Sequence, residues 1–193
     1  MTNKNFPFEI EEDPGLKEGE IIAKKRIEKK TKSPFKISVA ILFCLYFVLV
    51  ASDPSKWRFL FVLDSVVHEV GHFMLSPLGE SASVAGGTIL QLFLPALFAF
   101  FLLKAQFFYS ASLLFFWFGE NFFYISVYIS DAAKMDVPLL VGRAHDWNCA
   151  LSDLNLLAYS YQFASLFYVL GILVVGFAAY FSFKNANIIK EWN

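Results

Sequence analysis

The sequence predicts an all-α, polytopic membrane bundle with about five transmembrane helices. Of the 193 residues, 57% are hydrophobic and 17% charged, with 24 Phe, a balance that leaves too little polar surface to clothe a soluble domain of this size. The apolar residues gather into runs near or beyond the ~20 residues a helix needs to cross a bilayer. Between the runs lie short polar segments in which Pro, Gly, Ser and Asp mark turns. The formal net charge of −1 says little about partners, because in a membrane protein the placement of charges matters more than their sum. No nucleic-acid footprint is present, so the lipid bilayer is the partner that composition itself requires. Cys44 in an apolar run and Cys149 in a polar loop fit neither a disulfide framework nor a Cys-type zinc site.

Taken in order, residues 1–34 are expected to be a polar cytoplasmic tail without the apolar core or cleavage site of a signal peptide. Asp13-Pro14-Gly15 reads as a turn, and residues 16–30 as a solvated tail or a short helix with Ile21, Ile22 and Ile27 on one side. Lys24, Lys25, Arg26, Lys29, Lys30, Lys32 and Lys36 crowd before the first apolar run, which places the N-terminus in the cytoplasm and lets the tail lie on anionic lipid. The membrane domain, 35–183, opens with a span over Ile37–Ala51, a turn at Ser52-Asp53-Pro54-Ser55, and an interfacial anchor at Trp57 and Arg58. A second span follows, Phe59–Leu78, ended by Ser76-Pro77-Leu78-Gly79.

Glu80–Gly87 is small and polar and reads as a loop able to reach back toward that span, with Gly86 and Gly87 allowing close backbone approach. Thr88–Leu103 is a third span, in which Pro95 offers a point for a re-entrant break. Phe107–Ser130 is a fourth, Asp131–Asn155 a polar segment, Leu156–Phe183 a fifth span, and 184–193 a polar tail. Alternation from a cytoplasmic N-terminus puts the 104–106 turn outside and the 131–155 segment inside.

The second span carries His68-Glu69-Val70-Gly71-His72. On a helix, residues four apart share a face, so His68 and His72 can offer two imidazole nitrogens to one Zn²⁺ while Glu69 acts as general base on a metal-bound water. Packing against a neighbouring helix is the alternative use of such residues, but ionisable groups at membrane depth are costly and a bound cation would offset that cost. Asp64, one turn earlier on the same face, either orients His68 or, the reading favoured here, is a snorkelling or helix-contact residue.

A catalytic zinc needs a third protein ligand. In the fourth span Trp117, Glu120, Asn121, Tyr124, Tyr128 and Asp131 fall within roughly a third of the helix circumference, a polar stripe suited to an active-site wall or to helix packing. The polar segment adds Arg143-Ala144-His145-Asp146-Trp147-Asn148. Asp131 and His145 are the two leading candidates for the third ligand, and Asp146 is either the N-cap of a short helix running through Leu151 or a residue that orients or joins the ligands.

HEVGH in a span, Gly86-Gly87 with Gln91 and Pro95, a span ending Tyr128-Ile129-Ser130-Asp131-Ala132, and then His145-Asp146-Trp147 together resemble small bacterial membrane proteins grouped with the site-2 type of intramembrane zinc metalloproteases. The resemblance spans residues 59–157. It implies a zinc site within the bilayer held by His68 and His72, Glu69 as general base, a third ligand from a later helix, and placement in a bacterial inner membrane. In the well-studied members the third ligand is an Asp in a Leu-Asp-Gly motif preceded by Asn-Pro. This sequence has neither, and Asp131-Ala132, preceded by Asn121, is the nearest counterpart.

The expected activity is hydrolysis of peptide bonds in a membrane-protein or peptide substrate, with Gly86, Gly87, Gln91, Asn121 and Tyr128 facing substrate or the ligands. A membrane protein that binds metal without hydrolysis, as sensor, carrier or scaffold, and a zinc hydrolase of lipids or small amides remain open beside it. The sequence sets no oligomeric state.

Overall fold

The computed structural model describes residues 30–56, 58–136 and 145–189. Each apolar run there is helical: α1 is Pro34–Ser52, α2 Phe59–Leu75, α3 Glu80–Lys104, α4 Phe108–Asp131 and α6 Ser160–Asn185, with a short α5 over Asp146–Asp153. A helix satisfies its main-chain groups within its own segment, which apolar surroundings demand. Five helical stretches are long and apolar enough to cross a membrane, so the all-α expectation holds and the chain forms an integral membrane bundle. Exposed Phe59, Phe73, Phe93, Phe101 and Leu173 give the outward faces the apolar character that lipid requires.

Apart from the helical unit, Pro34–Ala186, a second compact unit holds the antiparallel strands β1 (Lys30–Lys32) and β2 (Asn187–Ile189), with Lys30 opposite Ile189 and Lys32 opposite Asn187. The expected turn at residues 13–15, most of the helix over 16–30 with its lysines, the Trp57 anchor and Arg143 lie outside the described residues.

Two local expectations give way. Residues 80–87 are not a loop but the first turns of α3, because Gly79, at φ 108°, reverses the chain after the Ser76–Leu78 turn and α3 starts at once. Pro95 does not break α3, which continues through it to Lys104.

The direction of the helices also differs from simple alternation. The Tyr109 hydroxyl donates to the Lys36 carbonyl at 2.7 Å, Phe47 stacks on Phe116, and Tyr168 bonds the Ala51 carbonyl while packing on Phe123. Numbers therefore rise together along α1 and α4. They also rise together along α2 and α4, where Asp64 meets Trp117 and His68 lies beside Tyr128. α6 runs the opposite way, pairing Phe167 with Phe122, Phe177 with Phe115 and Phe181 with Phe108. The start of α1, the α3–α4 turn and the end of α6 thus share one end of the bundle, bearing Lys36, Lys104 and Lys184. The end of α2, the start of α3, α5 and the start of α6 share the other. Hydropathy marks where an apolar run lies but not which way it runs, and the expected opposition of the N-terminal side to the 104–106 turn fails for that reason.

Candidate metal centre

α2 and α3 cross with their main chains in contact. A Cβ on Gly71 would collide with the Gly86 carbonyl, and one on Gly86 with the Gly71 carbonyl. Small residues at a crossing let helix axes approach closely in apolar surroundings. Gly87 continues this surface: a Cβ there would stand 2.6 Å from His68 Nε2, so the imidazole lies flat against α3. Gly86 and Gly87 thus support the site as rigid helix surface.

The two imidazoles stand edge to face, 4.6 Å between centroids, and each is fixed at Nδ1. His72 Nδ1 lies 2.7 Å from the Ser83 carbonyl, an acceptor only, so Nδ1 carries the proton and Nε2 presents a lone pair. His68 Nδ1 lies 3.1 Å from Oε1 of buried Gln91, and with the amide in this orientation it takes the same tautomer. Fixing one ring nitrogen through a carbonyl so that the other can ligate is how metal-bound histidines are held.

Both free nitrogens face one carboxylate. Asp146 Oδ2 is 2.9 Å from His68 Nε2 and 3.0 Å from His72 Nε2. A proton on one imidazole or a cation among the three groups would each satisfy two ring nitrogens and a carboxylate oxygen at such distances. Among the described residues, His68, His72 and Asp146 form a group whose potential ligand atoms all lie within 4.8 Å of one another. Two nitrogens and one oxygen suit zinc, which takes three protein ligands and keeps a position open when catalytic.

The other candidates for third ligand face each other instead. His145 Nε2 lies 3.4 Å from Asp131 Oδ2, close enough for an ion pair but outside hydrogen-bond geometry. His145 Nδ1 accepts from the Asn148 amide at 3.3 Å, capping α5, and Asp131 Oδ1 accepts from the Asp136 amide at 3.0 Å. The cap role considered for Asp146 belongs to His145. α5 starts one residue further on, and this frees Asp146 to reach the histidines from its first position. The Asn148 side chain donates to the Ala132 carbonyl at 2.7 Å and ties α5 to the end of α4.

The polar stripe of α4 faces inward. Tyr128 packs between His68 and His145, with ring centroids 6.4 and 5.9 Å away, and its hydroxyl is within electrostatic reach of Glu69, Asp131 and Asp146. Glu69 is half-buried and adjoins the cluster. Asp64 does not orient His68; it accepts from the Trp117 indole at 2.7 Å and faces Glu120. Asn121 is fully buried and donates to the Trp117 carbonyl at 2.9 Å, a turn or more from the imidazoles. Sequence reasoning did not single out Ser83, because a main-chain carbonyl leaves no trace in residue type.

Compared with family models, curated proteins and solved structures, the chain matches none.

Proposed function

We propose that this integral membrane protein is a zinc metallopeptidase that hydrolyses peptide bonds of membrane-associated substrates. The observation that carries the reading is the convergence of His68 Nε2, His72 Nε2 and Asp146 Oδ2, with both tautomers fixed from behind by Gln91 and the Ser83 carbonyl. Here Asp146, rather than Asp131 or His145, is the third ligand. Bound zinc would supply Lewis acidity, polarising a carbonyl oxygen and acidifying a water to a pKa of about 7.

Glu69, next to the first ligand, takes the proton of the attacking water and delivers it to the leaving amine. Tyr128 forms the wall beside His68 and keeps that side of the site apolar up to its hydroxyl. A substrate helix must unwind locally to present its carbonyls, since a helix buries them in internal hydrogen bonds.

The orientation follows from charge. Lys36, Lys104 and Lys184 mark one end of the bundle, whereas among the described residues the other end carries Lys134 amid Asp131, Asp136, Asp146 and Asp153. The positive-inside bias puts the lysine end in the cytoplasm, so the cluster faces the opposite side. For a bacterial inner membrane that is the external face. The six residues between Ser52 and Phe59 reach at most about 25 Å, too short to recross a ~30 Å hydrocarbon core. α1 and α2, which point the same way, therefore do not form an ordinary up-and-down pair of crossings.

The test is Glu69→Gln. Zinc content should stay within about twofold of wild type, because the side chain is not a ligand, while hydrolysis falls by at least about 100-fold. Membrane peptides and lipids compared in cells carrying wild type or Glu69→Gln identify the substrate class. Unchanged peptides with changed lipids or small amides would replace the peptidase by another hydrolase. No change in any of them, with full zinc content, would leave a metal-binding protein without hydrolysis.

A further inference from the structure

One turn before His68 lies a second polar cluster, which the hydrolytic reading does not use. Asp64 of α2 and Glu120 and Asn121 of α4 are each 0% exposed. The two carboxyls interact directly, and the Asn121 amide faces Asp64. The donors present are few. The Trp117 indole serves Asp64 Oδ1 at 2.7 Å, and Asn121 Nδ2 is spent on the Trp117 carbonyl at 2.9 Å. That second bond also fixes the amide, since the flipped form would set two acceptors together.

Asp64 Oδ2, both Glu120 oxygens and Asn121 Oδ1 remain, each buried and without a hydrogen-bond partner among the described residues. The buried Tyr46 hydroxyl of α1 is within electrostatic reach of both carboxyls and also interacts with the Leu60 main chain. Arg58 is in reach of Glu120, but its guanidinium bonds the carbonyls of Leu49, Asp53 and Lys56.

Protons on the carboxyls would answer part of this. One proton shared by the carboxyls can be donated to the other carboxyl or to Asn121 Oδ1 but not to both, so it does not satisfy all four oxygens. A hard cation satisfies carboxylates, an amide oxygen and a phenol oxygen together, and these are the ligands such ions take. No imidazole or thiolate is among them, so the cluster does not suit zinc. Magnesium keeps several waters and demands octahedral geometry, which disfavours it here, whereas larger ions accept irregular oxygen cages.

We propose that Asp64, Glu120 and Asn121, with the Tyr46 hydroxyl beside them, form a second cation site for a hard ion of the sodium or calcium type. The ion joins α1, α2 and α4 one turn from the histidines. The site stands independently of the hydrolytic reading.

The experiment uses full-length protein in detergent, stripped of metal and held in choline chloride, to which sodium or calcium is added separately. Melting temperature is read in both arms, and calcium is also followed by equilibrium dialysis. At least one ion should raise the melting temperature of wild type and of His72→Ala, because a ligand that binds only the folded state stabilises it by mass action. Glu120→Gln, which keeps the shape and removes the charge, should lose the shift. Asn121→Ala should weaken the ion's apparent affinity by at least about tenfold. The proposal is overturned if neither ion shifts wild type, or if Glu120→Gln and Asn121→Ala respond as wild type does. It is equally overturned if Glu120→Gln melts above wild type in choline while wild type binds no ion, since the carboxyls would then merely hold protons.

Discussion

Asp146 of α5 meets His72 of α2 at 3.0 Å, carboxylate oxygen to Nε2. If this carboxylate completes the metal site, Asp146→Asn should lower zinc affinity by more than about 100-fold, beyond the 10–100-fold typical of residues that only support a ligand. Asp131→Ala should fall within that smaller range. Competition against a chromophoric chelator measures both, and the reverse order would move the ligand role to Asp131.

His145 caps α5 and faces Asp131, so its replacement acts on zinc only through the helix. His145→Ala should cost about 1 kcal/mol at the cap and weaken zinc binding. His145→Asn keeps a capping side chain and should restore most of the affinity. Zinc titration of the two variants side by side decides, because a lost ligand would not be recovered by Asn.

Gly87→Ala pushes a methyl group into the His68 ring, 2.6 Å from Nε2. Overpacking of this kind costs about 1–3 kcal/mol, and here it should also displace the ligand and lower zinc stoichiometry. Gly176→Ala, where an added Cβ meets nothing within 4 Å, should leave melting temperature and zinc content as they are.

The shared end of α1, α3 and α6 can be mapped by thiol labelling in a Cys44→Ser, Cys149→Ser background. Phe35→Cys, Lys104→Cys and Lys184→Cys should react with an impermeant reagent from one side of a sealed vesicle, and Asp136→Cys from the other. Reaction of Phe35→Cys from the side of Asp136→Cys would restore strict alternation and defeat the common direction of α1 and α2.

Much of this was legible in residue order. Length and composition of the apolar runs suffice for the five long helices, because main-chain satisfaction in lipid leaves a helix as the available form. The pairing of His68 with His72 was legible because their spacing and shared face are properties of one helix. Asp146 was harder to see. It sits beside His145 in a polar segment, and helical periodicity does not carry from α4 to α5 across residues that belong to neither helix. Choosing among Asp131, His145 and Asp146 needed the start of α5, which is set by a cap that the imidazole supplies. Glu80–Gly87 looked like a loop because Ser and Gly are common in loops, yet the same small residues are what a close helix crossing needs. The pairing of Asp64 with Glu120 joins two helices far apart in sequence, so one-dimensional spacing could not reveal it.

The contact between Gly71 and Gly86 has a thermodynamic consequence. With α2 and α3 touching main chain to main chain, His68 and His72 belong to one stiff body whether or not an ion is present. Asp146 arrives on a separate short helix, held to α4 through Asn148. Binding energy gained by completing the ion's coordination is therefore drawn from, and returned to, the seating of α5. On the proposed reading, zinc would act as a fastener whose removal loosens α5 before any of the long helices, and hydrogen exchange at Asn148–Leu151 is where that linkage would first be read.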